Sequence, residues 1–285
     1  MTYNFTLIYP QDRKKITVRQ LLKELLIPRK WQHLLRITKT VTVNNSYRNF
    51  NEMILPGDKI SFEINFTECN QQTYPASGKS PSVIYEDSDV LVINKEKGQK
   101  THPNLNETNT ALNDCATYLG SSPYIVHRLD MLTGGLLLVA KNPAVVPILN
   151  RELTSKIFHR EYLATVDNSN KLEKSGTISF PIGQDPDDQR KRMVRDDGLK
   201  AVTHYEIIQN NPDNTALVKV ALETGRTHQI RVHLAAIGCP IVGDPLYNPN
   251  FQENEELQLL AYQMSFIKPF SFERVYVSLP ESFRY

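Results

Sequence analysis

The stretch His127-Arg128-Leu129-Asp130-Met131-Leu132-Thr133-Gly134-Gly135-Leu136-Leu137-Leu138-Val139-Ala140-Lys141 sets a charged tetrad just ahead of two glycines and an unbroken apolar run. Leu136 to Ala140 offer no polar face, which suits a strand covered on both sides at the centre of a sheet. Thr133-Gly134-Gly135 reads as a turn whose missing side chains let the backbone approach another group closely. Asp130 is therefore expected on a loop at the mouth of a buried strand, where a rigid scaffold holds a reactive carboxylate. An Asp before Thr-Gly-Gly also commonly caps its own turn, and this segment alone leaves both readings open.

Outward from this segment, strand-like runs recur at SVIYE, DVLVINK, EYLATV, THYEII and ALVKVAL, with helix signals near 109–119, 143–154 and 228–237. Hairpin-like neighbours mixed with helical excursions predict an α+β domain built on a long mixed, mostly antiparallel sheet flanked by helices.

The segment TGRTHQIRVHLAAIGCPIVGDPLY, residues 224–247, predicts a strand end, a tight turn and a helix. Thr227 is the expected N-cap, Ile230, Leu234 and Ile237 share one face, and Gly238 is the expected stop. Arg231 lies beside that apolar face. A partly desolvated Arg needs a carboxylate partner, and a nucleophilic Asp in a dry pocket needs a cation, so Arg231 and Asp130 are expected to pair.

Residues 1–66 hold 11 Lys/Arg against 5 Asp/Glu, whereas the rest of the chain holds 22 against 26. A small basic unit beside a near-neutral larger one suits a polyanion-binding module serving an enzyme, although a basic solvated face would read the same way. Within it, ITVRQLLKELLI predicts an amphipathic helix, RKWQHLLRI a second, and VTVN and KISFEI two strands joined through Pro56-Gly57-Asp58. Residues 67–80 are polar and read as a linker, which divides the chain into 1–66, 67–80 and 81–285.

Composition excludes several classes. With 40% hydrophobic and 22% charged residues the chain is able to bury a core, and no apolar stretch approaches the ~18 residues that span a bilayer. The first residues lack a secretory layout, so a cytoplasmic location is expected. Cys69, Cys115 and Cys239 show no paired spacing and read as free thiols. His228 and His233, five apart, do not point two imidazoles at one ion, so no metal site is expected and both read as structural. Arg190 to Gly198 reads equally as a phosphate-binding loop or a solvated turn.

HRLD followed by TGGLLLVAK and then GRTHQIRVHL resembles the RluA/RluD family of RNA pseudouridine synthases. The resemblance spans about residues 83–280 and extends to Asn94-Lys95, His102-Pro103, Arg160-Glu161-Tyr162-Leu163-Ala164 and Pro240 to Tyr247. Residues 14–66 are similar to the S-four RNA-binding module. The resemblance implies an isomerase with Asp130 as nucleophile, Tyr162 stacked on the base and Arg231 paired with Asp130. It also implies that Arg128 fills the gap left by an extruded nucleotide, with His127, Arg226 and Gln229 beside the substrate and Arg29, Lys30 and Arg36 gripping RNA backbone. Tyr162 on its own would read as a core tyrosine. The partner implied is RNA, large-subunit rRNA before tRNA, with no metal, nucleotide or redox cofactor, and nothing demands more than a monomer. A noncatalytic RNA-binding factor and a hydrolase acting on a sugar-linked base are the other classes. The hydrolase would usually carry several clustered carboxylates, and these motifs show none.

Overall fold

A computed structural model describes residues 1–65, 72–104 and 107–283. Cys69 lies outside the described residues. In the N-terminal unit the order is β1 (Tyr3–Ile8), β2 (Ile16–Thr17), α1 (Val18–Glu24), α2 (Arg29–Thr38), β3 (Val41–Val43), β4 (Ser46–Tyr47), β5 (Met53–Ile54) and β6 (Lys59–Ile64). The first helix is shorter than its apolar pattern. Thr17 starts it with a reciprocal capping box to Gln20, and Leu26 at φ 56° ends it. Strands pair in the order β1-β6-β3-β4, with Asn44 and Asn45 both at positive φ in the β3–β4 hairpin turn. Val18, Leu21, Leu22, Trp31 and Leu35 pack under this sheet, which leaves Arg29, Lys30 and Arg36 exposed on α2.

The larger unit contains β7 (Ser82–Glu86), β8 (Val90–Lys95), α3 (Ala111–Leu119), β9 (Tyr124–Ile125), β10 (Gly134–Ala140), α4 (Val146–Thr154) and β11 (His159–Val166). It continues with β12 (Ser175–Ile178), β13 (Ile182–Gln184), β14 (Arg192–Val194), β15 (Thr203–Asn210), β16 (Ala216–Leu222), α5 (Gln229–Ala236), β17 (Leu259–Ile267) and β18 (Arg274–Ser278). The main sheet runs β12-β15-β16-β11-β17-β10-β8-β7, with β18 on β17 and β9 on β10. Every pair is antiparallel except β10 with β17, so the expected mixed, mostly antiparallel α+β sheet is present. Strand β17 was not anticipated, although it lies between β10 and β11 at the middle of the sheet.

Strand β10 is buried along its whole length, and its alternate residues feed two cores. Leu136 and Leu138 join Ile148 and Leu149 of α4, while Leu137 and Val139 join α3 and α5 residues on the opposite face. Each fully buried Leu contributes roughly 1.5–3 kcal/mol. Gly135 shows why the glycine pair precedes the strand. It sits at φ 107°, and a Cβ there would lie 2.2 Å from the carbonyl oxygen of Ala261 on β17.

Residues 72–80 lie against α3 instead of hanging free. Ser77 donates to Asp114 at 2.6 Å, Asn113 donates to the Pro75 carbonyl at 2.7 Å, and the Tyr74 side chain is buried. The N-terminal sheet packs on the larger unit through aromatic contacts. Phe5 stacks on Phe270 with centroids 3.9 Å apart, and the Arg13 guanidinium lies 3.7 Å over the Phe272 ring.

Candidate active site

The loop from Val126 to Thr133 is fixed at three points before it presents Asp130. His127 is buried, accepts a hydrogen bond from the Leu138 amide at Nε2, and meets Phe158 edge-on. Burial pushes His127 down to about 3, with the Arg160 charge acting the same way, so the ring is neutral. Thr101 brackets the next residue, donating to the Leu129 carbonyl at 2.8 Å and accepting from its amide at 3.1 Å. On the far side, the ammonium of buried Lys95 donates to the carbonyls of Glu96, Gln99 and Met131. Burial lowers Lys95 to about 8, against the pull of the Asp130 charge. These contacts leave the Asp130 side chain part-exposed in a cleft of about 830 Å³, large enough for a nucleotide.

Helix α5 forms the facing wall, and its start differs from the expected one. His228, not Thr227, occupies the N-cap position, at φ 57°. The turn before it is held by Gln229, whose amide is fully engaged within the protein. Its oxygen accepts from the Arg226 amide and the Thr224 hydroxyl, and its nitrogen donates to the Val202 carbonyl and Thr203 Oγ1. The left-handed step turns His228 into the cleft, with Nε2 3.8 Å from Asp130 Oδ2. Its Nδ1 is 2.8 Å from the Tyr247 hydroxyl, which accepts from the Arg192 amide. Burial pushes His228 down, with Asp130 opposing. His233 instead bonds Thr203 and the Phe180 carbonyl, so only the second of the two histidines has the structural surroundings expected of both.

Arg231 faces Asp130 as expected, but at 3.8 Å. Its close partner is Asp244, through Nε to Oδ2 at 2.8 Å and Nη2 to Oδ1 at 2.7 Å. Both members of this pair are buried, and Tyr247 lies under the guanidinium at 5.0 Å. Burial works against the Arg231 charge, yet the Asp244 carboxylate outweighs it and holds the group above its usual value. The sequence contained Asp244 within Gly243-Asp244-Pro245, but nothing local tied it to Arg231, 13 residues earlier.

Tyr162 reaches the same cleft from β11, between Val220 and Ala261 on the adjacent strands. Burial raises its phenol above the usual value, with Asp130 adding and Arg160 opposing, so it is a neutral ring at physiological pH. Arg128 and Arg226 are exposed at the rim, and Arg226 Nε donates to the Lys200 carbonyl at 3.1 Å. The cleft thus brings together Asp130, Tyr162, Arg231, Arg128, His127, Arg226 and Gln229, while Arg29, Lys30 and Arg36 belong to the separate N-terminal sheet unit. Among the described residues no helix is long and apolar enough to cross a membrane, and no three His, Cys, Asp or Glu side chains gather as metal ligands.

Residues 89–236 match the family described as RNA pseudouridylate synthase, and residues 5–60 match the RluD ribosomal pseudouridine synthase N-terminal domain. The chain is 40% identical over 218 residues to the uncharacterized RNA pseudouridine synthase YlyB of Bacillus subtilis (strain 168), covering 73% of this chain and 71% of that protein. It is 43% identical over 183 residues to the ribosomal large subunit pseudouridine synthase D of Xanthomonas campestris pv. campestris, covering 62% and 54%. Human RNA pseudouridylate synthase domain containing 1 shares the fold at a TM-score of 0.62 and 26% identity, over 73% of this chain and 86% of that one. A loop carboxylate, a buried phenol and a guanidinium around one nucleotide-sized cleft, in a chain with these relatives, place the protein in the RNA pseudouridine synthase family, RluA/RluD branch.

Proposed function

We propose that Asp130 is the nucleophile with which this chain isomerises specific uridines of structured RNA, large-subunit rRNA first and tRNA second. The observation that carries this reading is the convergence of Asp130, Tyr162 and Arg231 on one cleft. The relatives named for the large ribosomal subunit support the choice of RNA.

In the reaction the bond from N1 to C1′ breaks and a bond from C5 to C1′ forms, while C5 loses a proton and N1 gains one. Substrate and product have the same composition, so neither redox change nor group donor is needed. Asp130 drives the first cleavage, by adding to C1′ or by starting elimination to a glycal. Arg231 supplies a fixed positive charge opposite the carboxylate, held in place by Asp244. Tyr162, neutral and buried, offers a flat apolar face to the base and a phenol near the carbon that must lose its proton. Arg128, exposed at the rim, occupies the space left in the RNA when the nucleotide is extruded. His127 and Gln229 hold the loop and the α5 turn, and Arg226 borders the entrance.

Residues 1–66 are assigned to RNA backbone binding through Arg29, Lys30 and Arg36 on the exposed side of α2, and 81–285 to catalysis in a cytoplasmic monomer. The experiment is pseudouridine mapping of total RNA from cells with and without the gene. At least one uridine position should lose its modification on deletion, and identical maps would contradict the reading.

A further inference from the structure

Most cations around the cleft already have partners. Arg231 is held by Asp244, Lys156 by Glu223, Lys100 by Glu107, and Arg226 by a carbonyl. Arg160 differs. It lines the cleft, yet among the described residues no carboxylate lies within ion-pairing distance of it. Its Nε is shut off from solvent and has no hydrogen-bond partner. With Nε enclosed, the donors that face a ligand are the two Nη groups, and among the described residues neither has a hydrogen-bond or ion-pair partner. Gly225 leaves room for the fork, since a Cβ there would come within 3.0 Å of Arg160 Nη1.

Strand geometry says where such a ligand would sit. Arg160 and Tyr162 are two residues apart on β11, with a register shift against β17 between Glu161 and Tyr162, and both line the cleft, roughly 7 Å apart along the strand. That spacing is comparable to the reach from a base to a phosphate of its own nucleotide. A planar fork of donors matches two oxygens of one phosphate better than a single base carbonyl.

We propose that Arg160 binds a phosphate of the extruded nucleotide and so positions the sugar above Asp130 while the base meets Tyr162. This rests on the synthase reading above. It makes Arg160 a substrate-binding residue on the same strand as the proposed stacking tyrosine, with a different target on the nucleotide.

The test titrates the full chain, and its Arg160→Gln and Arg160→Lys variants, with uridine 3′,5′-bisphosphate and with uridine. The wild-type chain should prefer the bisphosphate by about tenfold or more, R160Q should lose most of that preference, and R160K should keep part of it. Thermal melting identifies folded variants, and if R160Q does not fold, the comparison is made with R160K, whose preference should fall. The preference should also weaken with added salt in the wild type and hardly at all in R160Q. Equal affinity of the wild type for the two ligands, or a folded variant that keeps the full preference, overturns the inference. Assaying pseudouridine formation on total RNA with the same preparations separates the two claims. If pseudouridine forms while R160Q keeps its preference, the phosphate contact fails and the synthase reading stands. Arg160-dependent bisphosphate binding with no pseudouridine formed leaves the phosphate site standing and removes the chemistry assigned to the cleft.

Discussion

Arg231 is bound to Asp244 through two hydrogen bonds of 2.7 and 2.8 Å, and both residues are almost inaccessible to solvent. The guanidinium that faces the proposed nucleophile is thus oriented by a different carboxylate, which leaves Asp130 Oδ2 at 3.8 Å and free to approach substrate. A single bidentate pair with Asp130 would have tied up the reactive oxygens.

Asp244→Ala should therefore be severe. Removing one partner strands a buried charge, at a cost of about 3–5 kcal/mol, whereas replacing both partners with apolar residues should cost less. Urea unfolding of Asp244→Ala and of Arg231→Met with Asp244→Leu checks this. A single variant as stable as wild type would show that the pair contributes little.

Gly135→Ala should destabilise by at least about 2 kcal/mol, because the new Cβ would meet the Ala261 carbonyl at 2.2 Å in a backbone conformation that L-residues disfavour. Gly134→Ala should be milder, since its nearest neighbour is the flexible Lys97 side chain at 3.0 Å. Denaturant midpoints of the two variants rank them, and the reverse order would contradict the close β10–β17 contact.

Phe270→Ala removes the ring that stacks on Phe5 and lies 5.3 Å from the Phe62 centroid. A loss of about 3–5 kcal/mol is expected, together with faster proteolytic release of the N-terminal unit. Release at the wild-type rate would mean that these aromatic contacts do not fasten the two units together.

Glu152 provides a pH signature. Burial raises it to about 7, despite the Ile267 amide bond and the nearby Arg274 charge. Below about pH 4.5 both folded and unfolded states carry the proton, so there is no penalty. Between about 4.5 and 7 the unfolded chain releases it first, so this contribution to stability falls as pH rises, by up to a few kcal/mol above pH 7. Glu152→Gln should raise the melting temperature at pH 8 and leave it nearly unchanged at pH 4.5. An equal change at both pH values would contradict the raised value.

Strand β10, the glycine turn and the helical pattern of α5 were legible because each is a local signal: an apolar run, a pair without side chains, a 3.6-residue period. Strand β17 was not read from the sequence: its apolar run Leu259–Tyr262 gives way to the alternation Tyr262-Gln263-Met264-Ser265-Phe266, so neither pattern holds along the whole strand. Its place depends on β10 and β11, whose paired residues lie between 95 (Ala164 with Leu259) and 126 (Gly134 with Leu260) positions away in the chain. Asp130 was legible as a loop carboxylate, and the family motifs named Tyr162 and Arg231. Asp244 and Lys95 were given no role and His228 only a structural one, since the contacts that bring them to the cleft, Asp244 to Arg231, Lys95 to Met131 and His228 to Asp130, join separate segments of the chain. His228 enters the cleft only because the Gln229-braced turn sets it at positive φ, a conformation that Thr-His-Gln does not announce.

The most direct measurement is nucleoside analysis of bulk RNA after incubation with the purified chain and with Asp130→Asn, which keeps the size of the side chain and removes its charge. The wild-type chain should form pseudouridine without added cofactor, and the variant, folded and still binding RNA, should be slower by at least about a thousandfold. Pseudouridine formed at a comparable rate by folded Asp130→Asn would contradict the assignment of the nucleophile.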